Sequence, residues 1–170
     1  MKHWVCSLAI YLLLLYSGGS YILAQPLLNS KSLLVSNQTS ITIADVIALS
    51  SERPILLELT FQSGVLTPLS ENNLYTFFAP TEEALQELQY ENAQKLRAIL
   101  LHHIVPGRYK LADLKDGIKL LTLAGDSLTI FRKKREVLVD SIPVVSRDNE
   151  IAKNGIIYTI SDILHPNNLE

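Results

Sequence analysis

The sequence predicts an α+β domain, with helices gathered in its first half and a run of antiparallel strands in its second. Three observations carry this. Between residues 42 and 103, apolar residues recur at helical spacing behind capping residues. After Pro106-Gly107 the period changes to alternation, with turn residues between the runs. Hydrophobic residues make up 48% of the 170 and charged ones 19%, enough apolar material for one packed core. Helices followed by strands in series imply an antiparallel sandwich or wedge, with helices packed on it mainly from the N-terminal half.

Composition also excludes functions. A net charge of -2 provides no positive field for nucleic acid. The single cysteine, Cys6, allows neither an internal disulfide nor a structural zinc site.

In chain order, residues 1–24 read as a secretory signal peptide. Lys2 and His3 precede an apolar run over 8–16, which Ser17-Gly18-Gly19-Ser20 breaks. Cleavage is expected after Ser20 or Ala24. Because Cys6 lies ahead of the apolar run, it is not placed for lipidation. Residues 25–40 form a linker interrupted by Pro26, Asn29, Ser30 and Ser36, and Asn37-Gln38-Thr39 is a glycosylation sequon at Asn37.

Thr42 and Asp45 are placed to cap a first helix that carries Ile43, Val46 and Ile47 on one face. Pro54 opens a second helix and Gly64 ends it. Thr67-Pro68 starts a turn. An aromatic-rich strand over 74–79 stops at Pro80, and Thr81 caps the next helix with Glu82 and Glu83 in its first turn. The helix over 92–103 places Leu96, Ile99, Leu100 and His103 at i, i+3, i+4 and i+7. His103 therefore points into the core and is expected to be satisfied there by hydrogen bonds, while His102 points elsewhere. Strands are expected over 121–123, 128–131, 137–139, 144–145 and 156–160. Gly125-Asp126 and 132–135 are turns between neighbours.

Three blocks, in order, resemble the fasciclin domain. The first is Tyr75-Thr76-Phe77-Phe78-Ala79-Pro80-Thr81-Glu82-Glu83-Ala84-Leu85. The second is Leu96-Arg97-Ala98-Ile99-Leu100-Leu101-His102-His103-Ile104-Val105-Pro106-Gly107. The third is Asn154-Gly155-Ile156-Ile157-Tyr158-Thr159-Ile160-Ser161-Asp162-Ile163-Leu164. The resemblance covers about residues 41–166, leaving 167–170 as a tail. The resemblance implies a secreted or surface-held, non-catalytic adhesion module with a fasciclin-like fold. It implies partners among cell-surface or matrix proteins; the basic cluster at 132–135 adds anionic polysaccharide, with membrane contact at most peripheral. It gives Thr76, Phe78, Ala79, Pro80, Thr81, His103, Asn154, Gly155 and Tyr158 structural roles. The chain departs from the family pattern at His102, where a tyrosine is usual, at Tyr158, where a histidine is usual, and at Ser161, where an aspartate is usual. In animal members the Tyr-His region is associated with integrin binding, and this chain lacks that tyrosine.

The sharpest charge cluster is Arg132-Lys133-Lys134-Arg135, placed at a hairpin tip where it could grip polyanions. With His102 it forms the candidate binding set. Asp140, Asp148 and Glu150 could form a weak cation site, although a solvated acidic loop explains them as well. Gly125-Asp126-Ser127-Leu128-Thr129 and Asp162-Ile163-Leu164-His165 spell the two blocks of a GDSL-type serine esterase. Ser127 and His165, however, lie too close in sequence for the parallel α/β fold of those enzymes, and no oxyanion motif stands between them. A third possibility is a carrier holding an apolar ligand between helices and sheet. No cofactor or metal is implied: there is no His-Glu-x-x-His, phosphate-cradling glycine loop or Gly-x-Gly-x-x-Gly.

Overall fold

The computed structural model describes residues 40–134, 136–146 and 150–166. The expected signal peptide, most of the linker with Asn37, the tail, Arg135 and Asp148 lie outside the described residues.

Helix α1 (Ile43–Leu49) begins in a reciprocal cap. Thr42 Oγ1 accepts from the Asp45 N–H at 3.2 Å, and the Asp45 carboxylate accepts from the Thr42 N–H at 2.8 Å. The hydrogen bonds from Thr42 hold the Asp45 carboxyl below its ordinary range. Helix α2 (Pro54–Gln62) starts on Pro54 and ends before Gly64, whose φ of +68° lies in the left-handed region. Arg53 makes no side-chain cap there. Instead Glu82 reaches across and accepts from the N–H groups of Ile55 and Leu56, at 2.9 and 3.1 Å. Thr67-Pro68 makes more than a turn, since it lies inside the short helix α3 (Leu66–Ser70). Pro68 falls within the first turn, where an N–H has no helical partner to lose.

Strand β1 (Tyr75–Pro80) leads through the Thr81 cap into α4 (Glu82–Leu85) and a 3₁₀ turn (Gln86–Leu88). Helix α5 (Ala93–His102) is capped by the Asn92 side chain, and His103 stands at its C-cap. The remaining strands are β2 (Ile104–Pro106), β3 (Lys119–Leu121), β4 (Ser127–Lys133), β5 (Glu136–Val139), β6 (Ile142–Pro143), β7 (Glu150–Ala152) and β8 (Gly155–Ile160).

These strands form two four-stranded sheets, in the orders β2-β1-β8-β7 and β3-β4-β5-β6. The second is antiparallel throughout, as expected. The first is mixed, because β1 and β8 run parallel from Tyr75↔Gly155 to Pro80↔Ile160. Both strands are covered on both faces, so they read as continuous apolar runs without the alternation that marks a half-exposed strand. The expected strand over 144–145 reduces to a single bridge between Val144 and Ile160, next to β6. β2 and β7 are three-residue strands that alternation was too short to show.

The β1–β8 sheet is the middle layer. Tyr75, Phe77, Ala79 and Ile157 face the helices and join Ile47, Leu56, Leu59, Leu96 and Leu100 in one core. Phe78, Ile156, Tyr158 and Ile160 face the second sheet and join Leu120, Leu128, Ile130 and Val139 in another. The space an apolar ligand would need between helices and sheet is thus filled by fully buried side chains, including Leu56, Phe77, Leu96 and Leu100.

Candidate functional site

The three sequence blocks meet at His103. Its carbonyl accepts from the Phe78 N–H at 3.0 Å, which ties the end of α5 to β1. Its Nδ1 lies 2.8 Å from the Ile99 carbonyl, and its Nε2 lies 2.9 Å from the Leu164 N–H. A carbonyl can only accept and an N–H can only donate, so only the neutral, Nδ1-protonated ring satisfies both. Burial is the main cause that lowers its pKa to about 3; the bond to Ile99 opposes this, and His102 and His165 add to it. His103 is a core clamp, as its place on the leucine face predicts.

Asn154 does the same for the other end of the sheet. Its Oδ1 accepts from the Ile43 N–H at 2.7 Å, and its Nδ2 donates to the carbonyls of Leu69 and Glu71, each at 2.7 Å. One buried amide therefore joins the start of α1 to the end of α3. The two-residue turn is Lys153-Asn154, and Gly155 is already in the strand, paired with Tyr75. Thr76 Oγ1 donates to the Gly107 carbonyl at 2.8 Å and accepts from the Tyr109 N–H at 2.9 Å. Phe78 stacks on Tyr158, with centroids 6.0 Å apart, and the Tyr158 hydroxyl donates to the Tyr109 carbonyl at 3.0 Å. Burial pushes that phenol above its ordinary pKa. Ala79 and Pro80 are buried in β1, and Thr81 Oγ1 accepts from the Ala84 N–H at 3.4 Å. Apart from the half-buried Thr81, all of these are buried packing positions.

His102 is corrected. It is 1% exposed, so it is no surface candidate. The β3–β4 turn folds over the end of α5, where the Leu123 N–H donates to the Ile104 carbonyl at 2.8 Å. That turn brings Asp126 Oδ1 within 2.5 Å of both His102 Nδ1 and Thr122 Oγ1. Burial opposes the charge on Asp126, but the bonds from Thr122 and His102 and the attraction of the imidazole outweigh it and hold the carboxyl below its usual range. Helical spacing could not show this, because the cover comes from a turn twenty-odd residues on.

The basic turn divides. Lys133 and Lys134 are exposed, and neither makes an ion pair with a described residue. Arg132 is also exposed by area, yet its side chain is spent. Nε donates to the Leu114 carbonyl at 2.5 Å and Nη2 donates to that of Leu111, closing the edge of the second core. Replacing Arg132 with Ser is expected to lower the unfolding free energy by about 1–3 kcal/mol, measured by urea denaturation, because two carbonyls lose a charged donor.

Ser127 and His165 line one groove, together with Lys119, Thr129, Asp140, Ile142, Ile163 and Leu164. No hydrogen bond joins the two. Both acids the esterase reading needs are committed elsewhere, Asp126 to His102 and Thr122, and Asp162 Oδ1 to the Ile163 N–H at 2.8 Å. Among the described residues, no carboxylate is hydrogen-bonded to His165 to orient it toward Ser127. Asp140 and Glu150 are not a cation pair either. Asp140 Oδ1 accepts from the Thr129 N–H at 2.6 Å, while Glu150, in the other sheet, pairs with Arg53.

Residues 52–166 match the family model described as the fasciclin domain. The chain is 32% identical over 148 residues to Protein sll1483 of Synechocystis sp., covering 80% of this chain and 81% of that one. It is 30% identical over 132 residues to the pig transforming growth factor-beta-induced protein ig-h3, covering 74% of this chain but 19% of that much longer protein. A FAS1 domain pair from the insect cell adhesion molecule fasciclin I superposes with a TM-score of 0.60 at 18% identity, over 75% of this chain and 52% of that one. With both its cores and its three motif blocks assembled as that fold requires, this chain belongs to the fasciclin domain family.

Proposed function

We propose that this protein is an exported fasciclin-type adhesion module, without catalysis of its own, that recognises protein or anionic polysaccharide through exposed loops. The observation that carries the reading is the β4–β5 turn. Lys133 and Lys134 stand exposed and, among the described residues, without ion pairs, although Glu136 is paired with Lys133 across the hairpin. Lys134 has a φ of +58°, where asparagine or glycine would be the easier residue. A lysine held there gives up some turn stability and presents charge at the tip instead. The match to ig-h3 and to a domain pair from a cell adhesion molecule supports an adhesive role.

The test is salt elution from immobilised heparin. The double variant Lys133→Ser, Lys134→Asn keeps a residue suited to the turn and leaves Arg132 in its structural role. It is expected to elute at clearly lower salt while its Tm stays within about two degrees of the native protein, as befits surface positions. Unchanged elution would remove the polyanion reading of this turn.

A further inference from the structure

We propose that the groove at the other end of β4 is a subsite for an acidic sugar of the uronate type. It lies about 20 Å along the strand from the basic turn, Ser127 and Lys133 being the two ends of β4. This inference rests on the glycan side of the reading above but uses none of the residues of that turn.

The groove has a volume of about 490 Å³, within the range of small-ligand sites. Its polar wall is built on the sheet. Lys119 and Thr129 are partners across the β3–β4 register, and Asp140 is bonded to the Thr129 backbone from the far side. Lys119, Thr129 and Asp140 therefore form one row across the sheet, with Ser127 on the same face of β4. The opposite wall is the C-terminal segment. Ile163 and Leu164 are buried there, and the bond from the Leu164 N–H to His103 fixes the place of His165. The wall is preorganised, so binding need not first order it.

Among the described residues, the side chains of Lys119, Ser127 and His165 have no hydrogen-bond or ion-pair partner, and Lys119 does not pair with Asp140. An ammonium, an imidazole and a hydroxyl thus face the groove unspent, beside a carboxylate fixed through one oxygen. This set selects its ligand by exclusion. A bare anion would answer Lys119 but meet Asp140 with like charge. A neutral sugar would give Asp140 its hydroxyl donors but leave Lys119 unanswered. A uronate carries both groups on one ring: a carboxylate for Lys119 and His165, and hydroxyls for Asp140, Ser127 and Thr129. Ile142, half-buried at the rim, offers apolar surface to the C–H face of that ring.

The experiment is calorimetric titration of the full chain with trigalacturonate, and with maltotriose and inorganic sulfate as comparators. Trigalacturonate is expected to bind at least about tenfold more tightly than either comparator. Lys119→Ala and Asp140→Asn are each expected to weaken it about tenfold, the loss of one charged contact. Asn at 140 tolerates the φ of +45° found there, so the β5–β6 turn survives. The double variant Lys133→Ser, Lys134→Asn is expected to lose less trigalacturonate affinity than either groove variant. No binding by the native protein, equal binding of sulfate, or indifference to both groove substitutions would overturn the proposal. So would loss of binding in the double variant, which would assign the sugar to the turn. The heparin comparison varies only the turn residues and the trigalacturonate comparison is read on the groove variants, so the two readings fail separately.

Discussion

Lowering the pH from 7 to 4.5 is expected to remove about 2–3 kcal/mol of folding free energy through His103, and a His103→Gln variant is expected to lack that part of the slope. The folded protein holds this imidazole neutral, with a pKa of about 3 against an ordinary value of 6.5. In the unfolded chain the ring takes up a proton as the pH falls through its ordinary value, while in the folded chain it does not. The contribution is therefore fully present above about pH 6.5 and lost progressively as the pH falls toward 3, at about 1.4 kcal/mol per pH unit. Protonating Nε2 in place would also break its bond to the Leu164 N–H and release the C-terminal segment from α5. Asp45 and Asp126 work on a different window. Their depressed pKa values add stability above the ordinary carboxylate range that is lost only at lower pH. Urea denaturation of native and variant proteins at pH 7, 6, 5 and 4.5 separates the two: the curves of stability against pH should converge as the pH falls. Parallel curves would mean that His103 is not the neutral clamp its hydrogen bonds describe. The Gln variant starts lower at neutral pH, by about 1–3 kcal/mol, because an amide cannot span the Ile99 carbonyl and the Leu164 N–H as the ring does.

What the sequence revealed and what it hid divide along physical lines. Helix starts at Thr42 and Thr81 were legible because a cap and its helix lie within four residues of one another, and that at Pro54 because proline itself suits a first turn. The β4–β5 hairpin was legible because alternation and turn residues are local too, whereas β3 lies at 119–121, two residues ahead of the expected 121–123. The parallel pairing of β1 with β8 was not, since it depends on which distant strand fills a given edge. The burial of His102 and the work done by Arg132 were hidden for the same reason. Each is decided by a loop that packs back: the β3–β4 turn in one case and the segment before β3 in the other. His103 was read correctly because its own helix carries three leucine-like neighbours on one face, although its two ring partners could not be named. Ser127 and His165 attracted notice as parts of esterase motifs, and the structure does bring them to one groove. The residues that give that groove its character, Lys119, Thr129 and Asp140, carry no local signal, because three strands must align before they form a row.

Gly155→Ala is expected to be the most damaging single-atom-scale change in the domain, costing at least about 4 kcal/mol or preventing folding. The cause is steric and not conformational, for Gly155 is absent from the glycines of positive φ. A Cβ built on it falls 2.1 Å from the Tyr75 carbonyl oxygen, 3.0 Å from that carbonyl carbon and 2.5 Å from Ile43 Cδ1. The isoleucine tip could be trimmed away, but the backbone of β1 cannot yield. Tyr75 is the first residue of the parallel register with β8, and its N–H is bonded to the Asn154 carbonyl at 2.9 Å. Relief would have to open the sheet at the point where β1, β8 and α1 converge, or pull Asn154 away from Ile43, Leu69 and Glu71. Gly125 supplies the control. Its φ is +93°, yet nothing lies within 4 Å of an added Cβ. Gly125→Ala should therefore cost only about 1 kcal/mol, for a conformation that L residues dislike. Adding Ile43→Ala to Gly155→Ala removes one of the two clashes and should not restore stability, since the backbone oxygen remains. Denaturation midpoints of the folded variants, and soluble yield where none folds, provide the readout. A Gly155→Ala protein within 1 kcal/mol of native would mean that β1 and β8 do not meet as closely as the register Tyr75↔Gly155 requires.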